Sequence, residues 1–169
     1  MRELHDNIDV KRGISPAAAT TDNTAYVSQI LDMQGLSSAE FVILAGALAD
    51  ADATSTVLAE EGDQANLSDN TAVDDRDLLG TEAQAGFDFS ADNKVFKLGF
   101  RPSGKRYKRV TIAPANNTGN VFLAAVWITR PLLVPTPNPP ASRGHSVGWA
   151  KPKACPPPRH QTNIHRSLP

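Results

Sequence analysis

The sequence predicts an all-β protein, an antiparallel β-sandwich of the jelly-roll type with an extended Pro-rich C-terminal tail. Two observations predict this fold: about seven short strand-like runs are separated mostly by turn residues, and no long amphipathic helical pattern lies between them. The chain has 169 residues, enough for one domain and an appendage. We expect an N-terminal arm or first strand at 1–20, the sandwich at 21–130 and the tail at 131–169.

The sequence patterns predict different degrees of burial for different strands. "EFVILAGAL" (Glu40–Leu48) is a continuous apolar run, which favours a strand buried on both sides. "NVFLAAVWIT" (Asn120–Thr129) is the most hydrophobic run, so we expect it in the middle of a sheet with Trp127 in the core. Residues 63–84 form a long polar stretch, read as a loop. The predicted extended segments are Ile8–Val10, Tyr26–Asp32, Glu40–Leu48, Thr54–Gly62, Ala85–Ser90, Lys94–Pro102, Lys105–Pro114 and Asn120–Thr129.

The turn Pro102-Ser103-Gly104 predicts a β-hairpin. Proline presets φ for a turn and glycine accepts a positive φ, so the segments on either side are expected to pair with each other. On the return segment, Lys108, Val110 and Ile112 fall on one face.

Charge is unevenly distributed, although the net charge is only −1. Residues 1–130 carry 18 acidic and 12 basic side chains, whereas residues 131–169 carry five basic side chains and no acidic one. The tail also holds most of the 13 prolines, and such a composition buries too little apolar surface to offset the entropy of ordering. We therefore expect an acidic body and an extended, basic tail.

The tail contains two patterns that resemble catalytic or metal sites. Gly144-His145-Ser146-Val147-Gly148 fits G-x-S-x-G, but Pro-rich sequence precedes it instead of a strand, and no Asp or Glu follows Ser146. Cys155, His160 and His165 lack a fourth zinc ligand and regular spacing, so scattered tail residues are the favoured interpretation. A single cysteine excludes an internal disulfide. We expect no catalytic residue, no metal and no cofactor.

Two further classes of site are also weak. The acidic stretch Glu60–Asp77 has enough oxygen ligands for calcium but lacks the EF-hand spacing, so a solvated acidic loop is favoured over opportunistic cation binding. The chain contains no apolar run of about 18 residues and begins without an apolar signal segment. The sequence therefore predicts no membrane association.

The most distinctive feature is a charge block. Residues 40–92 carry 13 acidic side chains and one basic one, Arg76, whereas residues 94–109 carry seven basic side chains and no acidic one. Three interpretations remain open: complementary contact with the acidic loop of another copy, a solvated sheet edge protected by lysines, or a nucleic-acid patch, which the acidic body makes unfavourable. The candidate assembly interface comprises Lys94, Lys97, Arg101, Lys105, Arg106, Lys108 and Arg109.

Four blocks of the body carry a family resemblance. "TDNTAYVSQILDMQG" (Thr21–Gly35), "EFVILAGALADADATSTVLAEEGD" (Glu40–Asp63), "DRDLLGTEAQAGFDFSADNKVFKLGF" (Asp75–Phe100) and "KRYKRVTIAPANNTGNVFLAAVWI" (Lys105–Ile128) resemble small structural proteins of tailed bacteriophages and prophages. The resemblance covers about residues 1–130; the basic, Pro-rich tail departs from it. It implies a virion component of the minor-capsid or head-decoration type, with a head–tail joining or tail component as the alternative.

The expected function is therefore non-enzymatic. The resemblance implies a protein made in the bacterial host cytoplasm and located in the virion, where its partners are the major capsid protein, its own copies, or both. We expect no small-molecule substrate, and the acidic body disfavours a nucleic-acid partner. The alternative from another class is a carbohydrate-binding β-sandwich module on the virion surface.

Overall fold

The structure is a computed structural model that describes residues 4–102 and 104–132. The chain divides into two compact units, Met1–Val134 and Pro135–Pro169, and every described residue belongs to the first. From residue 133 onward the predicted tail lies outside the described residues, together with the Gly144–Gly148 motif, Cys155, His160 and His165.

The regular secondary structure of the described chain consists mainly of antiparallel strands. One four-residue helix, α1 (Glu82–Ala85), and three 3₁₀ turns (His5–Asn7, Asp75–Asp77 and Phe89–Ala91) are the helical segments of this part of the chain. The strands are β1 (Asp9–Ile14), β2 (Tyr26–Val27), β3 (Leu31–Asp32), β4 (Leu36–Leu48), β5 (Thr54–Gly62), β6 (Thr71–Ala72), β7 (Leu78–Leu79), β8 (Phe87–Asp88), β9 (Val95–Phe100), β10 (Tyr107–Ala115) and β11 (Val121–Pro131).

The strands form two sheets whose order is that of a jelly roll. The first sheet runs β1-β11-β4-β9-β7; the second runs β2-β10-β5-β6, with β3 also on β10 and β8 also on β5. The pairs are nested in sequence: β1 with β11, β2 and β3 with β10, β4 with β9, and β5 with β6 and β8. Successive nested pairs alternate between the sheets, which is how a long antiparallel hairpin rolls into two layers. The predicted all-β sandwich is confirmed.

The core lies between the inner faces of the two sheets. Trp127 is at its centre, 1% exposed, with its ring centroid 4.6 Å from that of Phe41 and 5.3 Å from that of Phe100. The Trp127 indole N–H donates to the Gln29 carbonyl at 3.2 Å, so the ring is buried with its polar atom satisfied. β11 lies between β1 and β4, which confirms the predicted central position of this strand and the core position of Trp127.

The predicted hairpin at Pro102–Gly104 is wrong. β9 pairs with β4 and β7 in the first sheet, whereas β10 pairs with β2, β3 and β5 in the second. The turn chemistry is present, since Gly104 has a φ of +70°. The connection nevertheless crosses between layers, because nested pairing places consecutive strands on opposite sides of the core.

Two other predicted strands are shorter than expected. The Tyr26–Asp32 strand is split into β2 and β3, since Ser28 uses its hydroxyl to accept the Val110 N–H and Gln29 donates its N–H to Gly13 across the sandwich. The Ala85–Ser90 strand is reduced to Phe87–Asp88, because the Asp88 carboxylate caps the Ser90 N–H and starts a 3₁₀ turn. The predicted loop 63–84 contributes the short strands β6 and β7.

Candidate assembly surface

The seven predicted interface cations do not form one patch. Lys97 lies on the first sheet, Lys108 and Arg109 lie on the second, and the remainder flank these strands. Four of the seven form ion pairs within the chain: Lys97 with Glu40 at 3.5 Å, Arg106 with Asp32 at 2.6 Å, Arg109 with Glu60 at 2.8 Å, and Lys108 with Glu61. Lys94 and Arg101 remain exposed. The charge block of the sequence is therefore largely paired inside one molecule.

Lys108 and Glu61 form an ion pair inside the sandwich. Their strands place them directly opposite each other on the inner face, and Lys108 is completely buried. The Glu61 carboxylate also accepts the Lys105 backbone N–H at 3.2 Å, and a side chain at Gly104 would collide with this carboxylate. The link between β9 and β10 thus closes over the pair, and Lys108 presents no charge to a partner.

Arg109 and Glu60 form a second pair on the other face of the same two strands. The Arg109 Nε–H donates to Glu60 at 2.9 Å, the Thr111 hydroxyl lies 3.3 Å from the same oxygen, and the Asn70 amide donates to the other oxygen. Glu60 is only 8% exposed despite its outward direction. This network ties the loop after β5 to β10.

Arg106 and Asp32 form the most directional of these pairs. The guanidinium donates from Nε and Nη2 to the two carboxylate oxygens at 2.9 and 2.6 Å. These hydrogen bonds hold the pKa of Asp32 below its ordinary value. Arg106 also lies 5.0 Å from the centre of the Tyr107 ring, so its position is fixed from two sides.

The outer face of the first sheet carries a group of neighbouring apolar side chains. On the outer face of the first sheet, the cross-strand row Val126–Val42 lies beside the row Ala124–Leu44–Val95, and Ile128 lies opposite Glu40. We call this the apolar outer face; its residues are Val10, Val42, Leu44, Val95, Phe122, Ala124, Val126 and Ile128. Leu44 is 42% exposed, Val95 60% and Phe122 44%, so these side chains meet solvent in the described chain.

Charged residues surround the apolar outer face. Arg12 ends the Val126–Val42 row on β1 and Lys97 ends it on β9, while Arg130 lies at the far end of β11. A contiguous apolar area with a polar rim is typical of a surface that binds another macromolecule.

The outer face of the second sheet is different in chemistry. Its cross-strand pairs are Arg109 with Glu60, Ala113 with Thr56, and Thr111 with Leu58. Val27 and Leu58 are exposed but lie on either side of Thr111, so no apolar row forms. This face has the composition of an ordinary solvated sheet.

The acidic stretch Glu60–Asp77 uses its side chains for local structure. Asp69 accepts the Asp63 N–H at 2.9 Å and the Gln64 N–H at 3.2 Å, and Asp74 accepts the Arg76 N–H at 3.1 Å. Over residues 4–102 and 104–132, no group of three or more His, Cys, Asp or Glu side chains is arranged to hold a metal ion. Within the same ranges, no helix combines the length and hydropathy of a membrane span.

Comparisons with protein families, with curated proteins and with solved structures gave no match. The functional proposal is therefore based on the surface of the chain itself.

The sequence did contain a signal for the apolar outer face: Glu40–Leu48 and Asn120–Thr129 are apolar at almost every position, as in strands covered on both sides. In the described chain the inner face of each strand is buried, whereas the outer face is half-buried at Val42 and Val126 and exposed at Leu44 and Phe122.

Proposed function

We propose that this chain is a non-enzymatic structural protein of a tailed-phage particle, of the minor-capsid or decoration type, located in the virion and bound to the capsid lattice. The single observation that carries this proposal is the apolar outer face, where strands that are apolar on both faces leave Leu44, Val95 and Phe122 exposed. The family resemblance supplies the particle, and jelly-roll sheets occur in viral capsid and lectin domains, which is support by fold analogy only.

The geometry supports binding across a broad sheet face. The rim cations Arg12 and Arg130 favour a partner surface that is apolar with acidic residues at its edge, whereas Lys97 is already paired with Glu40. Adhesion of this kind requires shape and hydrophobic contact, and it assigns no role to a reactive side chain. We propose that the chain's partner is the major capsid protein.

The experiment is binding of the full chain to purified particles that lack it, measured by co-sedimentation. Val42→Asp together with Leu44→Asp places two charges in the apolar outer face and is expected to weaken binding more than a hundredfold, since each buried, unpaired charge is costly. The matched control is Thr56→Asp with Leu58→Asp, two exposed positions with the same spacing on the outer face of the second sheet, which is expected to bind like the unmodified chain. Equal binding by both variants, with unchanged circular dichroism, would contradict the proposal.

A further inference from the structure

The free edge of the first sheet has a feature that the proposed function does not use. β1 is the outermost strand there and pairs only with β11 in the described chain, leaving its other edge open. The other edge elements, β7 and the pairs β2–β3 and β6–β8, are two-residue strands, whereas β1 has six residues. An open edge of this length is a template for another strand.

The open edge is bordered by an apolar groove. Leu4, His5, Ile8, Asp9 and Val10 line a groove of about 610 Å³. Leu4 is 73% exposed and Val10 is 55% exposed. Ile8 already has extended backbone, with φ −129° and ψ 152°, so the strand geometry begins one residue before β1. The exposed apolar side chains Leu4 and Val10 thus lie on β1 and on the segment just before it.

The charges of β1 favour one partner strand and one register of pairing. Asp9 and Lys11 are two residues apart on the same face, with 3.8 Å between the Lys11 Nζ and an Asp9 carboxylate oxygen. In a two-fold antiparallel pairing centred on Val10, Asp9 of each copy lies opposite Lys11 of the other. Centring on Lys11 or on Asp9 would instead place like charges on the axis. The pattern is self-complementary in the Val10 register.

We infer that β1 binds β1 of a second copy in this register, which joins the two first sheets into one continuous antiparallel sheet. Val10 then lies opposite Val10, and Ile8 lies opposite Arg12. The outer row Glu40–Ile128–Val10 continues into Val10–Ile128–Glu40 of the second copy, so two apolar outer faces become one. The role of this dimer in the particle rests on the proposed function; the dimer itself does not.

The first test is charge reversal in the full chain, with molar mass measured by sedimentation equilibrium. Asp9→Lys and Lys11→Asp each place like charges opposite each other twice, and each is expected to weaken dimerisation at least about tenfold. The two single variants mixed together, and the double variant Asp9→Lys/Lys11→Asp, restore opposite charges at both positions and are expected to dimerise like the unmodified chain. The control is Asp75→Lys, an exposed acid away from the edge, which is expected to leave the dimer unchanged.

The second test fixes the register by cross-linking. In a Cys155→Ser background, Val10→Cys is expected to form a disulfide-linked dimer on mild oxidation, because directly opposed residues have Cβ atoms about 4.5–5.5 Å apart. Val27→Cys is the matched control, since Val27 is 53% exposed on an edge strand of the second sheet; it is expected to remain monomeric on a non-reducing gel after the same oxidation.

The outcomes separate this inference from the proposed function. An unmodified chain that stays monomeric up to millimolar concentration overturns the dimer, as does a dimer that is insensitive to both charge reversals. Binding to particles by a monomeric chain would leave the proposed function intact. A charge-sensitive dimer that ignores particles would overturn the proposed function and leave this inference standing.

Discussion

The two sheets of the sandwich use opposite chemistry on corresponding faces. The first sheet is apolar on its inner face and apolar at the centre of its outer face, where Val42 and Leu44 lie. The second sheet is polar outside and carries a buried ion pair, Lys108 with Glu61, on its inner face. The comparison teaches that the cations of the second sheet, Lys108 and Arg109, are used in ion pairs within the molecule, whereas the first sheet exposes apolar side chains on its outer face.

The largest expected effect tests the inner face of the second sheet. Glu61→Leu removes the carboxylate that neutralises the buried Lys108 ammonium and is expected to lower the free energy of unfolding by about 3–5 kcal/mol. Replacing both residues, Glu61→Leu with Lys108→Met, is expected to recover most of this loss, because no charge then remains inside. Urea denaturation monitored by Trp fluorescence measures both. A single variant as stable as the unmodified chain would show that the pair is not buried.

The next effect separates the two faces of the first sheet. Leu98 is completely buried on β9, so Leu98→Ala is expected to cost about 2–5 kcal/mol in the free energy of unfolding. Leu44 lies on the outer face, so Leu44→Ala is expected to lower the free energy of unfolding of the isolated chain by less than about 1 kcal/mol. In the particle-bound protein the same Leu44→Ala change is expected to weaken binding. Comparable stability losses for both variants would show that the outer face is already covered.

The smallest expected effect is the acid dependence of the second sheet. Hydrogen bonds from Arg106 hold the pKa of Asp32 below its ordinary value, so between the two values the unfolded chain binds more protons than the folded chain. The stabilisation from Asp32 is therefore present near neutral pH and is lost as the pH falls below about 4.

Asp32→Asn checks this assignment. The variant is expected to be slightly less stable than the unmodified chain at pH 7 and to lose less additional stability on acidification, as measured by thermal unfolding at pH 7 and pH 3. Asp75→Asn is the control for an exposed carboxylate. Identical pH profiles for Asp32→Asn and the unmodified chain would contradict the assignment.

The sequence by itself determined the all-β class, most of the long strands and the core position of Trp127. Local patterns suffice for these, since a strand's alternation and its flanking turns are set by neighbouring residues. Its one-dimensional charge pattern indicated an assembly interface at residues 94–109, but it did not indicate that four of these seven cations form ion pairs within the chain. The apolar runs Glu40–Leu48 and Asn120–Thr129 predicted strands with two apolar faces.

Tertiary structure alone decided which residues meet. It separated β9 from β10 into different sheets, because a jelly roll pairs strands that are distant in sequence and places consecutive ones on opposite layers. With that crossing, Lys108 lies inside against Glu61 and Arg109 lies on Glu60, and in the described chain Leu44, Val95 and Phe122 stay exposed on the outer face of the first sheet. Local sequence fixes a strand's two faces, but only the pairing of distant strands decides what each face touches.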